Sequence, residues 1–342
     1  MYNIKPVRKM SNKSLKKLEA KTKLLETEIE LLTTNKILTK KSFNPKFEII
    51  KYTICKYNLK GVTTYLCNYM QVSKSGYYNY LNNEKKRENN EIKDRKDFEL
   101  ILKAYKFKRR NKGARQIKMV LQNEFNIIFN IKKIRRLMKK YNLECPTRRK
   151  DPYKELAKKK KENNLYKNIV NRLFKPGIPY NVLLTDITYL FYGKGKKCYL
   201  STIKDSQTNE ILAYHISKTL KIELSLNTIK KLVKEKHIFL NEKVIMHSDQ
   251  GIHYTSKRFH NLLKKHNITQ SMSRRGNCWD NAPQESFFGH MKDELNLDIC
   301  FSFHDVCLEI KDYIYYYNNY RYQWNLDKLT PVKYRNKLLE AS

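Results

Sequence analysis

One acid in the middle of an apolar run constrains this chain most. Val182-Leu183-Leu184-Thr185-Asp186-Ile187-Thr188-Tyr189-Leu190 reads as a buried strand interrupted by a single carboxylate. A carboxylate inside a buried strand is costly unless it is paired or binds a metal. The chain therefore needs a core sheet, and Asp186 needs a partner within it.

The surrounding pattern supplies the sheet. Residues 197–203 and 210–216 read as two more strands, joined through a turn at Ser206-Gln207-Thr208-Asn209. A helix is expected over 222–236 and a strand over 243–251 that ends at Asp249. A helix over 255–266, a short strand over 268–272, and helices over 283–295 and 303–320 follow. The order βββαβαβα predicts a three-layer α/β core of about 130 residues.

Asp249 closes its strand at a Gln-Gly turn, and Glu285 opens a helix after the loop Gly276-Asn277-Cys278-Trp279-Asp280-Asn281. Taken singly, Asp186 reads as a satisfied strand acid, Asp249 as a turn former and Glu285 as an acid favoured by the helix dipole. Taken together, three converging carboxylates repel one another, and hard divalent cations such as Mg²⁺ or Mn²⁺ relieve that repulsion. Two such ions about 4 Å apart suit in-line displacement at a phosphodiester. On a continuous helix over 283–295, Glu285, Phe288 or Gly289, and Lys292 share a face. Lys292 would then stand beside the acids and hold a DNA phosphate. Asp205 reads first as a turn former and second as an acid supporting the site, His247 equally as an auxiliary polar group or a strand-edge histidine, and Asp280 with Asn281 as loop-shaping or DNA-contacting residues.

Charge points to the same polyanion. Residues 1–180 carry 47 Lys+Arg against 16 Asp+Glu, whereas 181–342 carry 24 against 17. An AT-rich genome could supply many lysines, but not that asymmetry, and a basic half of this kind attracts nucleic acid. The helix at 131–141 carries Lys132, Lys133, Arg135, Arg136, Lys139 and Lys140 around an apolar stripe of Ile131, Ile134, Leu137 and Met138. It is expected to dock by the stripe and present cations to phosphates. Arg148 and Arg149 begin a basic linker that includes Lys158-Lys159-Lys160-Lys161. Arg274, Arg275 and Asn281, ahead of the Glu285 helix, are further candidate DNA contacts.

Upstream, Leu15, Leu18, Thr22, Leu25, Ile29 and Leu32 form a short heptad over 14–33. It fits a short coiled coil or an amphipathic helix packed on its own domain. Residues 46–81 read as helices, with Ser73 as an N-cap. The expected divisions are 1–45, a basic segment with the coiled-coil helix; 46–89 and 90–145, two helix-turn-helix-like modules; 146–175, a linker; 176–300, the catalytic core; and 301–342, a helical extension.

Other classes are excluded or disfavoured. No apolar run approaches the ~20 residues of a membrane span. No secretory signal is present, and the seven Cys show no paired spacing, so reduced thiols in the cytoplasm are expected. There is no G-x-S-x-G and no phosphate-binding loop of the G-x-x-x-x-G-K-[ST] type.

The local words resemble one group. Thr185-Asp186-Ile187-Thr188-Tyr189, His247-Ser248-Asp249-Gln250-Gly251, Tyr254-Thr255-Ser256, the run from Ser271 to Ala282, and Glu285-Ser286-Phe287-Phe288-Gly289 are similar to the OrfB-type transposases of the third insertion-sequence family. Asp249 and Glu285 enclose 35 residues, with Lys292 seven beyond, as in the D,D(35)E core of retroviral integrases. Tyr317-Asn318-Asn319-Tyr320-Arg321 with Leu329-Thr330-Pro331, and upstream Val72-Ser73-Lys74-Ser75-Gly76-Tyr77-Tyr78, extend the resemblance to about 60–337. Leu183 and Trp279 depart from it, standing where relatives often carry Trp and Tyr.

The resemblance implies a ribonuclease-H-like fold: a mixed five-stranded sheet with flanking helices, preceded by all-α modules. It implies Mg²⁺-dependent cleavage of insertion-sequence ends and strand transfer, with Asp186, Asp249 and Glu285 as catalytic metal ligands and Lys292 on the DNA end. Double-stranded DNA, further copies of the chain and an upstream-frame helix-turn-helix protein are the implied partners, in a nucleoid-associated setting. The added N-terminal helix-turn-helix of family fusions is not seen, so the chain reads as the downstream product alone or as a truncated fusion. A catalytically silent DNA-binding regulator and a ribonuclease-H-type nuclease or resolvase stay open as alternatives.

Overall fold

The computed structural model describes residues 11–33, 45–145, 167–235, 243–274 and 278–340. They form two compact units, divided between Lys96 and Asp97. The sequence put a boundary at 89/90; the division lies a few residues further on, inside one helix. Of the linker expected over 146–175, residues 146–166 lie outside the described residues.

The first unit is helical: α1 (Asn12–Thr33), α2 (Pro45–Lys56), α3 (Thr63–Tyr69), α4 (Lys74–Asn82) and the start of α5 (Glu84–Lys106). Ser73 caps α4 as expected, its hydroxyl accepting from Gly76 N at 3.0 Å. Gly76 is needed there, since a Cβ would lie 2.7 Å from the Ser73 hydroxyl. α1 docks by a different stripe from the heptad. Ala20, Leu24, Thr27 and Leu31 are buried against residues such as Ile49, Ile50, Leu66 and Cys67. Leu15, Leu18, Leu25 and Ile29 are exposed, Ile29 by 62%. At 100° per residue the two stripes point to nearly opposite sides of the helix, and the small Ala20 and Thr27 let the docked side approach closely.

In the second unit, the end of α5, α6 (Ala114–Glu124) and α7 (Ile131–Lys140) share a core of Ile101, Ile117, Leu121, Ile134 and Leu137, closed by Tyr322. Asn130 caps α7, accepting from Lys132 N at 2.9 Å.

The same unit contains a five-stranded sheet of order β3-β2-β1-β4-β5. The strands are β1 (Val182–Tyr192), β2 (Lys196–Asp205), β3 (Ile211–Ser217), β4 (Ile245–Ser248) and β5 (Thr269–Met272). β1, β2 and β3 run antiparallel in sequence, while β4 and β5 run parallel to β1. Helices α8 (Glu223–Glu235) and α9 (Lys257–Lys265) cover one face through Leu226, Ile229, Phe259 and Leu263. Helices α10 (Ala282–Glu294) and α11 (Phe303–Asn319) cover the other through Phe287, Met291, Ile310 and Tyr317. This is the expected three-layer, mixed five-stranded core. The C-terminal region is more than an extension, since α11 supplies one of its layers; α12 (Pro331–Glu340) follows. No helix among the described residues is long and apolar enough to cross a membrane.

Candidate active site

Sheet register brings the two aspartates together. Leu184 of β1 is paired with His247 of β4 in the parallel ladder. Asp186 and Asp249 each lie two residues beyond that pair, so they stand abreast on adjacent strand tracks. Both are half-buried. Tyr254 lies buried beside them: its phenol is pushed well above its ordinary pKa by burial, and further by the charges of Asp186 and Asp249.

Each carboxylate is oriented. Asp249 Oδ1 accepts from Gly251 N at 3.0 Å. A Cβ at Gly251 would stand 2.9 Å from that oxygen, so only glycine leaves this arrangement undisturbed. Asp186 Oδ1 accepts from Ile187 N at 2.7 Å, and Oδ2 accepts from Asn281 Nδ2 at 3.2 Å.

Asn281 is placed by its neighbour. Asp280 is buried and accepts from Asn168 Nδ2, Arg172 Nε and the Arg274 backbone and guanidinium, all at 2.8–3.2 Å. Burial raises the Asp280 pKa, but hydrogen bonds from Arg274 and Arg172 overcome that and hold it well below the carboxylate range. The Asp280 carbonyl lies 3.0 Å from His247 Nε2, and Ser271 Oγ lies 2.9 Å from His247 Nδ1. A carbonyl only accepts, so Nε2 carries the proton and Nδ1 accepts from Ser271. Burial lowers the His247 pKa, which favours this neutral ring. Of its two readings, His247 is therefore the auxiliary polar group, a buried clamp on the interior strand β4, and not a strand-edge residue. Asp205 is a turn former, accepting from Thr208 N at 3.0 Å and Tyr180 N at 3.1 Å.

Glu285 sits exposed in the first turn of α10. That end of the helix is held on β2, where Gln284 Nε2 donates to Thr202 Oγ1 and Lys204 Nζ donates to the Pro283 carbonyl. Phe288 is buried, so the face shared with Glu285 is that of Gly289 and Lys292. Lys292 Nζ lies 4.7 Å from the centroid of the exposed Tyr189 ring. Among the described residues, no three His, Cys, Asp or Glu side chains stand close enough to share one ion. Asp186 and Asp249 are brought together; Glu285 is not gathered with them into a closed triad.

The basic candidates divide. Lys132, Arg135, Arg136 and Lys139 are exposed on α7. Lys133 turns inward, paired with Asp97 at 2.7 Å and 3.9 Å from the Phe129 ring centroid. Arg274 is held by Asp280, and Asn281 is buried on Asp186, so both shape the site. Arg148, Arg149 and Arg275 lie outside the described residues. The sequence alone does not single out Tyr254, Arg172 and Ser271; their partners are distant along the chain, and only the acid at 280 hints at them.

Three family models match: an integrase core domain over residues 177–278, an HTH-like domain over 91–151, and a second integrase core domain model over 285–339. The transposase for insertion sequence element IS904 of Lactococcus lactis is 33% identical over 64% of this chain and 85% of its own length. A protein assigned as the InsK transposase of element IS150 in Escherichia coli K12 is 34% identical over 69% of this chain and 82% of its own. An uncharacterized 31 kDa protein of insertion element IS600 from Shigella sonnei is 30% identical over 80% of this chain and 98% of its own.

Proposed function

The chain belongs to the third insertion-sequence family of DDE transposases, with a ribonuclease-H-like core, and from that premise we propose how its own residues cut and join DNA. As a DNA transposase it is a polynucleotidyl transferase. Asp186, Asp249 and Glu285 would hold two Mg²⁺ ions, with Mn²⁺ as a substitute. The single observation that carries this reading is the register that sets Asp186 beside Asp249.

The donor set fits the group. Both aspartates offer hard carboxylate oxygens, as Mg²⁺ requires. Asn281 Oδ1 is buried beside Asp186 and has no hydrogen-bond partner among the described residues, so the pocket retains polar capacity. When bound, such ions would relieve the carboxylate repulsion, favour the deprotonated nucleophile and stabilise the leaving oxygen.

The remaining work falls to this chain's residues. Asn281 and the Gly251 amide fix the two carboxylates. Glu285, not gathered with the aspartates in this structure, would have to join them from α10. Lys292, on the Glu285 face, would hold the DNA end through a phosphate, and the α7 cations would set the duplex in register. Water first attacks phosphorus at the element end and frees a 3′-hydroxyl. That hydroxyl would then attack a target phosphorus, breaking its P–O3′ bond and releasing the target strand's own 3′-hydroxyl, with no covalent protein intermediate. The exposed stripe of α1 supports assembly of several copies on DNA.

The test incubates the protein with DNA carrying the flanks of its own gene, with Mg²⁺ or Mn²⁺, beside Asp249→Asn. Cleaved or joined ends from the wild type alone support the reading. Binding by both proteins with cutting by neither favours a silent DNA-binding regulator.

A further inference from the structure

Behind α10, on the side away from Glu285, lies a cavity of about 540 Å³. Its size is within the ~300–1,000 Å³ of small-molecule sites. Its described lining contains no Asp or Glu, but it includes Lys175, Lys204, His290 and Arg321. Arg321 is neutralised, with its guanidinium on Glu294 at 2.8–3.0 Å. The two lysines have no such partner among the described residues. Lys204 is 2% exposed, and among the described residues its ammonium donates only to the Pro283 carbonyl. Lys175 donates to the Gln207 carbonyl at 2.6 Å. Asp205, whose charge acts on both lysines, accepts from the Thr208 and Tyr180 amides and the Thr208 hydroxyl.

An ammonium has three N–H donors, so Lys204 keeps capacity for an acceptor. Asp205 acts on Lys204 through its charge but makes no ion pair with it among the described residues, so the buried ammonium is only partly compensated. Ser206 is also a lining residue: it is 2% exposed, and its buried hydroxyl has no partner among the described residues. Trp324 also lines the cavity, is 50% exposed, and has Lys118 and Lys328 within 5.8 Å of its ring. An aromatic face of this kind stacks any base.

We propose that this cavity is a nucleotide site, with Lys204, Lys175 and Ser206 on the phosphate and Trp324 on the base. The nucleotide is either free or an unpaired nucleotide at a DNA strand end; the phosphate chemistry is shared. Burial, then the charge of Lys175, lower the Lys204 pKa to about 7 against the opposing charge of Asp205, and a bound anion would favour the charged amine. The site is separate from the carboxylates, and its occupancy can be read without strand chemistry.

Equilibrium dialysis with dAMP, deoxyadenosine and inorganic phosphate tests it, at salt high enough to suppress surface binding. The expected result is one dAMP per chain, displaced by inorganic phosphate, with deoxyadenosine bound far more weakly. Lys175→Ala, at an exposed position, should weaken dAMP about tenfold, the loss of one charge-assisted hydrogen bond. Lys204→Met should do the same while the circular dichroism spectrum is unchanged. Trp324→Ala should weaken dAMP but not phosphate. A duplex with one unpaired terminal nucleotide that displaces dAMP, where a blunt duplex does not, identifies a strand end as the source. Failure of both duplexes to displace it identifies a free nucleotide. Absence of dAMP binding, or binding indifferent to both lysine variants, overturns the site. Either result leaves the cleavage assay with Asp249→Asn to be judged separately.

Discussion

Asn281 donates its side-chain amide to Asp186, Nδ2 to Oδ2 at 3.2 Å, across the junction between α10 and the sheet. Residues that orient a catalytic carboxylate are commonly worth about 10–100-fold in metal affinity or activity. Asn281→Ala should lower end cleavage by about that factor and leave DNA affinity unchanged. Cleavage rates and a gel-shift titration decide it. An unchanged rate would remove Asn281 from the working site, and a parallel loss of binding would make it a DNA contact.

Asp280 makes acid stability a readout of the same corner. Its folded pKa lies below the ordinary value, because the Arg274 and Arg172 contacts outweigh the effect of burial. The stabilisation is therefore fully present above the unfolded pKa of about 3.9 and is lost as pH falls through the lower folded value. Asp280→Asn should be less stable than wild type at pH 7 by about 1.5–3 kcal/mol, as for hydrogen bonds to a charged group. The gap should narrow as the pH falls below about 4. Urea unfolding at several pH values measures this; a gap independent of pH would show that the carboxylate charge contributes nothing.

The cations of α7 should differ in kind. Lys132, Arg135 and Lys139 are exposed, whereas Lys133 faces Asp97 and Phe129. Replacing the first three with Ala should flatten the slope of log affinity against log salt by about 0.9 for each phosphate that is no longer neutralised. Lys133→Ala should leave that slope nearly unchanged. Equal effects from Lys133 and its exposed neighbours would mean that its pairing is broken on DNA.

The two sides of α1 should separate assembly from folding. Leu15→Lys with Leu18→Lys falls on the exposed stripe, so where copies associate through that stripe it should shift sedimentation equilibrium toward monomer with little change in thermal unfolding. Leu24→Ala removes a fully buried side chain and should destabilise the first unit by about 2–5 kcal/mol. If the lysine pair leaves the oligomer intact, copies associate through some other surface.

The adjacency of the two aspartates was legible because its signals are local. An acid in an apolar strand and an acid ending the next parallel strand each leave a mark in a short window, whereas the acid opening α10 leaves a mark without fixing how far it stands from them. What was not legible is pairwise and distant. Arg172 meets Asp280, and Lys133 meets Asp97, only after helices and strands have packed. Lys204 sits in a strand, and nothing in its neighbours announces a cavity behind α10. On α1 both apolar stripes are visible in the sequence. Which one docks depends on the shape of α2 and α3, where Ala20 and Thr27 fit closely and the larger heptad residues stay outside.

The Leu184–His247 pairing also bears on how such a gene can vary. The two aspartates are neighbours through a ladder, so the 62 residues between them are not a ruler. A few codons added or removed between β3 and β4 lengthen or shorten an excursion that returns to the same track. A single codon inserted between Leu184 and Asp186 would instead turn Asp186 to the opposite face of the sheet. Length variation among descendants should therefore be tolerated in the excursion and purged from the two or three positions after the paired residues.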